Sequence, residues 1–138
     1  MLRFLLCLLL TLSIAAHASP YTGNDYSGVY DCTGQDHTEG EYQGVVTMHL
    51  MPKFSDGEYG AYDFLLEIPS YGAYPGHAAA QGNKMAIYFA NKNLKDQDFG
   101  TGIATFSKQK PGKWSFVKFY YEPKYKKGNF GKEVCKQR

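Results

Sequence analysis

Two cysteines, Cys32 and Cys135, follow the apolar N-terminal run of this chain, and they stand near its opposite ends. In an oxidising compartment they form one disulfide between the first and last structural elements, so the fold must bring its ends together. The start of the chain predicts such a compartment. Met1-Leu2-Arg3 is a short positive start and Phe4 to Ala16 is almost unbroken apolar text. Ala16-His17-Ala18 then places small residues before a cleavage site, with Ser19 as the first mature residue. Residues 1–18 therefore read as a signal peptide. The run is too short to span ~30 Å of hydrocarbon, which predicts no retained membrane anchor. Cys7 lies inside that run behind Leu6 rather than a small residue, so it reads as part of the signal and not as a lipid attachment site. The predicted destination is periplasmic or secreted.

Residues 19–138 suffice for a single domain that buries roughly two-thirds of its unfolded surface. Tyr and Phe are abundant, Gly is frequent, and helix-forming Leu, Glu, Lys and Ala patterns are missing after the signal. That balance favours short strands and tight turns. Seven or eight strands follow from alternation. Glu41 to Met51 sets Tyr42, Val46, Met48 and Leu50 on one face; Tyr62, Phe64, Leu66 and Ile68 line the next strand; Met85, Ile87 and Phe89 line another. Lys113 to Tyr121 is apolar on both faces, with Trp114 and Phe116 opposite Val117 and Phe119, and both faces call for cover. Asp56-Gly57, Gly82-Asn83 and Lys110-Pro111-Gly112 punctuate the strands. Connections of hairpin size predict an all-β antiparallel up-and-down barrel, closed by a Cys32–Cys135 bridge; a β-sandwich is the alternative. Gly28, Gly44, Gly60, Gly100 and Gly102 interrupt strand text and predict bends, bulges or close approaches.

Charge is split along the chain. Ser19 to Glu67 holds nine carboxylates against Lys53 alone, whereas Lys108 to Arg138 holds ten basic residues against Glu122 and Glu133. In a closed sheet the first and last strands are neighbours, so interleaved opposite charges at that seam would make the split structural. The lysines of the last hairpin, Lys118 among them, alternate with aromatics as in single-stranded nucleic-acid grooves. The compartment argues against nucleic acid, and the lysines read as a solvated face.

A strand with Tyr30-Asp31-Cys32, then a meander, then a late Cys135 resembles the layout of small calycin-type and inhibitor-type barrels of the bacterial envelope. That resemblance implies a binding role and transfers no functional residue. No nucleophile elbow, phosphate loop or metalloprotease motif is present, so the chain reads as non-enzymatic, with no cofactor. Asp36-His37-Thr38-Glu39 has no metal-type spacing and reads as a solvated turn, since only His49 or His77 remains to complete a site. Two binding roles remain. In the first, a protein-partner binder of inhibitor or immunity type acts in the cell envelope. Its contact is the irregular, loop-like Ser70–Gly82 segment, in which Tyr71 to Gln81 reads as a short strand broken at Pro75-Gly76 and which carries Tyr71, Tyr74, Pro75 and His77. In the second, a hollow barrel carries a small apolar or aromatic ligand between Tyr62, Phe64, Phe89 and Trp114. The load of large inward aromatics favours a filled barrel and the first role. The repeat Tyr59-Gly60-Ala61-Tyr62 and Tyr71-Gly72-Ala73-Tyr74 predicts one inward and one outward ring per copy.

Overall fold

The computed structural model describes residues 19–138, so the expected signal peptide and Cys7 lie outside the described residues. Eight strands follow one another as β1 (Gly28–Asp36), β2 (Gly40–Leu50), β3 (Tyr59–Ile68), β4 (Gly72–Gln81), β5 (Lys84–Ala90), β6 (Phe99–Lys108), β7 (Trp114–Glu122) and β8 (Asn129–Gln137). Each pairs antiparallel with its neighbour, and β1 pairs with β8 to close the barrel. At that closure Cys32 lies directly opposite Cys135, and their sulfurs are bonded with the Cα atoms 4.1 Å apart. Asp31 faces Lys136 across the same seam and pairs with Arg138 at 2.8 Å. Glu39 pairs with Lys126 at the adjoining end. Part of the charge split is thus cross-strand pairing, as expected of neighbouring first and last strands.

The inward alternation holds along β2, β3 and β5, where Val46, Met48, Tyr62, Phe64, Leu66, Met85, Ile87 and Phe89 are buried. Ser70–Gly82 differs from expectation. The strand expected there is present but without the break at Pro75-Gly76 and without a loop-like lip: Gly72–Gln81 is a continuous ten-residue strand paired with β3 along its length. Pro75 is tolerated because it lies one residue beyond the end of the β5 pairing at Gly76↔Phe89, where a missing N–H breaks no ladder on that side. Gly76 lets β5 approach closely, since a Cβ there would meet the Tyr88 carbonyl oxygen at 1.9 Å.

The two barrel ends differ. One receives the β2–β3, β4–β5 and β6–β7 connections and is plugged by the segment before β1. Tyr26 is fully buried there, stacked 4.0 Å from the Phe106 ring and edge-on to Trp114 at 4.8 Å. Its hydroxyl donates to the Gly82 carbonyl, and its carbonyl accepts from the Tyr30 hydroxyl. Burying three such rings against one another supplies both apolar area and favourable ring geometry. The other end, where β1–β2, β3–β4, β5–β6 and β7–β8 connect, is polar.

Candidate functional site

Alternation carries polar side chains inward at the polar end: Asp36 ends β1, Glu122 ends β7, Asn129 begins β8, and Asp98 immediately precedes β6. Asp36 accepts from the Thr38 and Glu39 amides at 2.8 Å, and from the Tyr120 hydroxyl and the Asn129 amide at 2.7 Å. Burial opposes its charge, but these four donors hold its carboxyl below the usual value. Asn129 also donates to Glu122 at 2.6 Å, and Tyr74 donates to Asp98 at 2.7 Å. Burial pushes Glu122 up to about 8, with the charges of Asp98 and Asp36 adding to the shift.

Deeper in the barrel, Lys118 and Glu133 are fully buried and meet at 2.6 Å. The Tyr42 hydroxyl donates to Glu133 Oε1, while neither Lys118 Nζ nor Glu133 Oε2 has an aligned hydrogen-bond partner. Three rings surround the Lys118 ammonium, with centroids 5.0 Å (Phe89), 5.4 Å (Phe64) and 5.5 Å (Tyr120) away. Such contacts offset part of its desolvation. Inward glycines make the room: a Cβ on Gly34 would overlap the Tyr42 ring, and one on Gly131 would overlap the Tyr120 hydroxyl. Between these groups lies a cavity of about 40 Å³ that opens at the rim past Tyr71, Tyr125 and Glu39.

Outside, β4–β8 carry a contiguous apolar face. One row across the strands runs His77, Tyr88, Thr101, Tyr121, Phe130. The next runs Ala79, Ala86, Ile103, Phe119, and Val117 pairs with Val134 below it. Ile103 and Phe119 are 62% and 54% exposed. The small Ala79 and Ala86 between bulkier neighbours create a shallow groove of about 450 Å³. The outer face of β1–β3 is polar and acidic, with Asp31, Glu41, Asp63 and Glu67.

The residues singled out in the sequence do not form one site. Tyr71 stands at the β3–β4 turn with its hydroxyl on Glu39, and Tyr74 is buried on Asp98. Pro75 and His77 face outward, His77 against the Tyr88 ring at 5.3 Å. Tyr62, Phe64 and Phe89 are buried core, and Trp114 packs against Tyr26; only Phe89 borders the cavity. The outward rings of the Tyr-Gly-Ala-Tyr repeat lie at opposite barrel ends and make no common platform. The turn at Asp36 is not simply solvated, because alternation along β1 carries Asp36 inward while His37 stacks on Phe130. Nor is Lys118 a solubilising lysine. Its position, two residues from both Phe116 and Tyr120, places it on the inward face, a sign present in the sequence.

Among the described residues, the one group of three metal-type side chains with converging atoms is Cys32, Glu133 and Cys135, whose sulfurs are bonded to each other. Compared with known proteins, the chain matches no family model, no curated protein and no solved structure at a significant level.

Removing one partner of a buried ion pair strands the other's charge. Lys118→Met is expected to lower unfolding free energy by about 3–5 kcal/mol. The double variant Lys118→Met/Glu133→Gln, which keeps an acceptor for Tyr42, should recover most of the loss; urea unfolding of the four-member cycle reads the coupling. For Glu122, the native state keeps a proton that the unfolded state loses above about 4.5, so wild-type stability falls as pH rises from there to about 8. Glu122→Gln should therefore be more stable than wild type by on the order of 1–3 kcal/mol at and above pH 8. The advantage should vanish below pH 4.5, as measured by denaturation across pH.

Proposed function

We propose that the chain is a periplasmic or secreted, non-enzymatic binding protein that engages a protein partner of the cell envelope, as inhibitors and immunity factors do. The contact is the outer face of β4–β8. The observation that carries this reading is the placement of Ile103, Phe119, Tyr121, Phe130 and Val134 on the outside of a barrel whose inside is already filled. Contiguous apolar surface is costly in a secreted monomer and marks docking sites. The interior weighs against a carrier of apolar ligands, because about 40 Å³ falls far below the roughly 300–1,000 Å³ of small-molecule pockets. The disulfide fits an oxidising compartment.

Chemistry also describes the partner. Lys84 flanks the face on β5 and Lys132 on β8, each exposed, so the complementary surface is apolar at its centre and acidic at its rim. Specificity then comes from large aromatic and aliphatic anchors seated in the partner, with the lysines setting orientation and encounter rate.

The test is capture from envelope extract with wild type and Ile103→Asp/Phe119→Asp in parallel, followed by titration of the captured protein. Both positions are well exposed, so the fold should tolerate the changes. A protein bound one-to-one by wild type and at least about 30-fold more weakly by the double variant is expected. Equal binding by both forms would place the contact elsewhere. Concentration-dependent dimers of wild type that the variant lacks would make the face a self-association surface instead.

A further inference from the structure

We propose that the polar end of the barrel docks on the surface of an anionic lipid bilayer without crossing it. Leu94 seats at the boundary of headgroups and acyl chains, and Lys92, Lys95, Lys124 and Lys127 meet lipid phosphates. This surface is separate from the outer face of β4–β8 and does not rest on the function proposed for that face.

Two neighbouring turns build it. The β5–β6 connection carries Lys92 and Lys95 on either side of Leu94, and the β7–β8 connection carries Lys124, Lys126 and Lys127; all five lysines are exposed. The Lys124 ammonium lies 6.0 Å from the centre of the Phe99 ring and shares a groove with Leu94 and Gln97, so the two turns stand side by side. Of the five lysines only Lys126 is in an ion pair among the described residues, with Glu39. Asp96 is the one exposed carboxylate within these turns, and it accepts from the Asn93 side-chain amide at 3.3 Å. Asp36 and Asp98 are recessed in the mouth and hydrogen-bonded there, and Glu122, raised to about 8, is protonated in neutral solution. The tips of the two turns therefore present a surplus of cations to whatever approaches this end.

An apolar tip stands among those cations. Leu94 is 79% exposed, and its turn is braced rather than loose. The Asn91 side chain accepts from the Asn93 amide at 2.8 Å and donates to the Tyr71 carbonyl at 3.0 Å, while the Lys92 amide donates to the Ala73 carbonyl at 3.0 Å. A soluble polyanion would engage the lysines alone. A fixed apolar tip between lysines matches the boundary of headgroups and hydrocarbon. The backbone adds a separate sign. Lys126 and Lys127 hold φ angles of 44° and 68°, a left-handed conformation that glycine adopts at lower cost, and what lysine adds there is charge. At the plugged end the two features are apart. Phe54 is 76% exposed, but its turn sets Asp56 and Glu58 against Lys53 alone, and the β6–β7 turn carries Lys110 and Lys113 without a large apolar tip.

The test is co-sedimentation of the folded protein with vesicles of phosphatidylcholine alone and of one part phosphatidylglycerol to two parts phosphatidylcholine. Binding to the mixed vesicles is expected to be at least about tenfold tighter, and to weaken as salt is raised. Lys95→Gln/Lys124→Gln should weaken it about 30-fold, and Leu94→Ser about tenfold. These positions are exposed, so the fold should tolerate the changes. Ile103→Ser/Phe119→Ser should bind the mixed vesicles as wild type does, which separates this end from the outer face. No binding to the mixed vesicles, equal binding to both kinds, or loss of binding in Ile103→Ser/Phe119→Ser would overturn the proposal. So would full binding by Leu94→Ser, which would make the occupant a polyanion rather than a bilayer.

Discussion

Pairing of β1 with β8, bonded at Cys32 and Cys135, turns an eight-strand meander into a closed wall, and the wall then fixes how much interior there is to fill. Closure leaves no edge strand to aggregate. A crosslink spanning 103 residues also lowers the entropy of the unfolded chain, by about 4–5 kcal/mol at most. That is a large share of the net stability of a domain this size. Because the N-terminal segment precedes β1 directly, the same closure brings Tyr26 to one barrel end as a plug.

With the volume fixed, the strands divide the interior by composition. The plugged half is aromatic and aliphatic, and the other half is built of tyrosines, carboxyls and one lysine. Lys118 and Glu133 sit at the boundary, adjacent to the disulfide strand, where a charge is tolerated only because a partner and three rings surround it. A purely apolar upper half would bury more hydrocarbon and need fewer glycines. Gly34 and Gly131 instead leave room for Tyr42 and Tyr120, so the backbone itself is shaped around the polar network.

Much of this was legible from alternation. The strand faces of β2, β3 and β5, the hairpin turns and the joining of Cys32 to Cys135 all follow from period-two patterning and from where the cysteines stand. β4 was legible only as a short, broken strand, because Ala-rich text with Pro75-Gly76 lacks the β-branched residues that mark a strand; pairing along β3 overrides that local weakness. The polar mouth was missed for a different reason. Charged residues are read as outward by default, yet Lys118 and Glu133 keep strict period with Phe116 and Cys135 on the inner face. Pattern outranked residue type there. The outer apolar face was visible as the two-sided text of β7, and what the sequence lacked was the register that aligns it with Ile103 and Tyr88.

A filled interior and an exposed apolar face together support the proposed surface-binding role over a ligand carried inside the barrel. The direct measurement is titration of an apolar fluorescent dye, read by energy transfer from Trp114, the chain's single tryptophan. The protein used is the Ile103→Asp/Phe119→Asp variant, so that the outer face does not bind the dye. A solid barrel predicts no saturable transfer. One-to-one saturation that quenches Trp114 would show a ligand cavity within the barrel and contradict a surface-binding role.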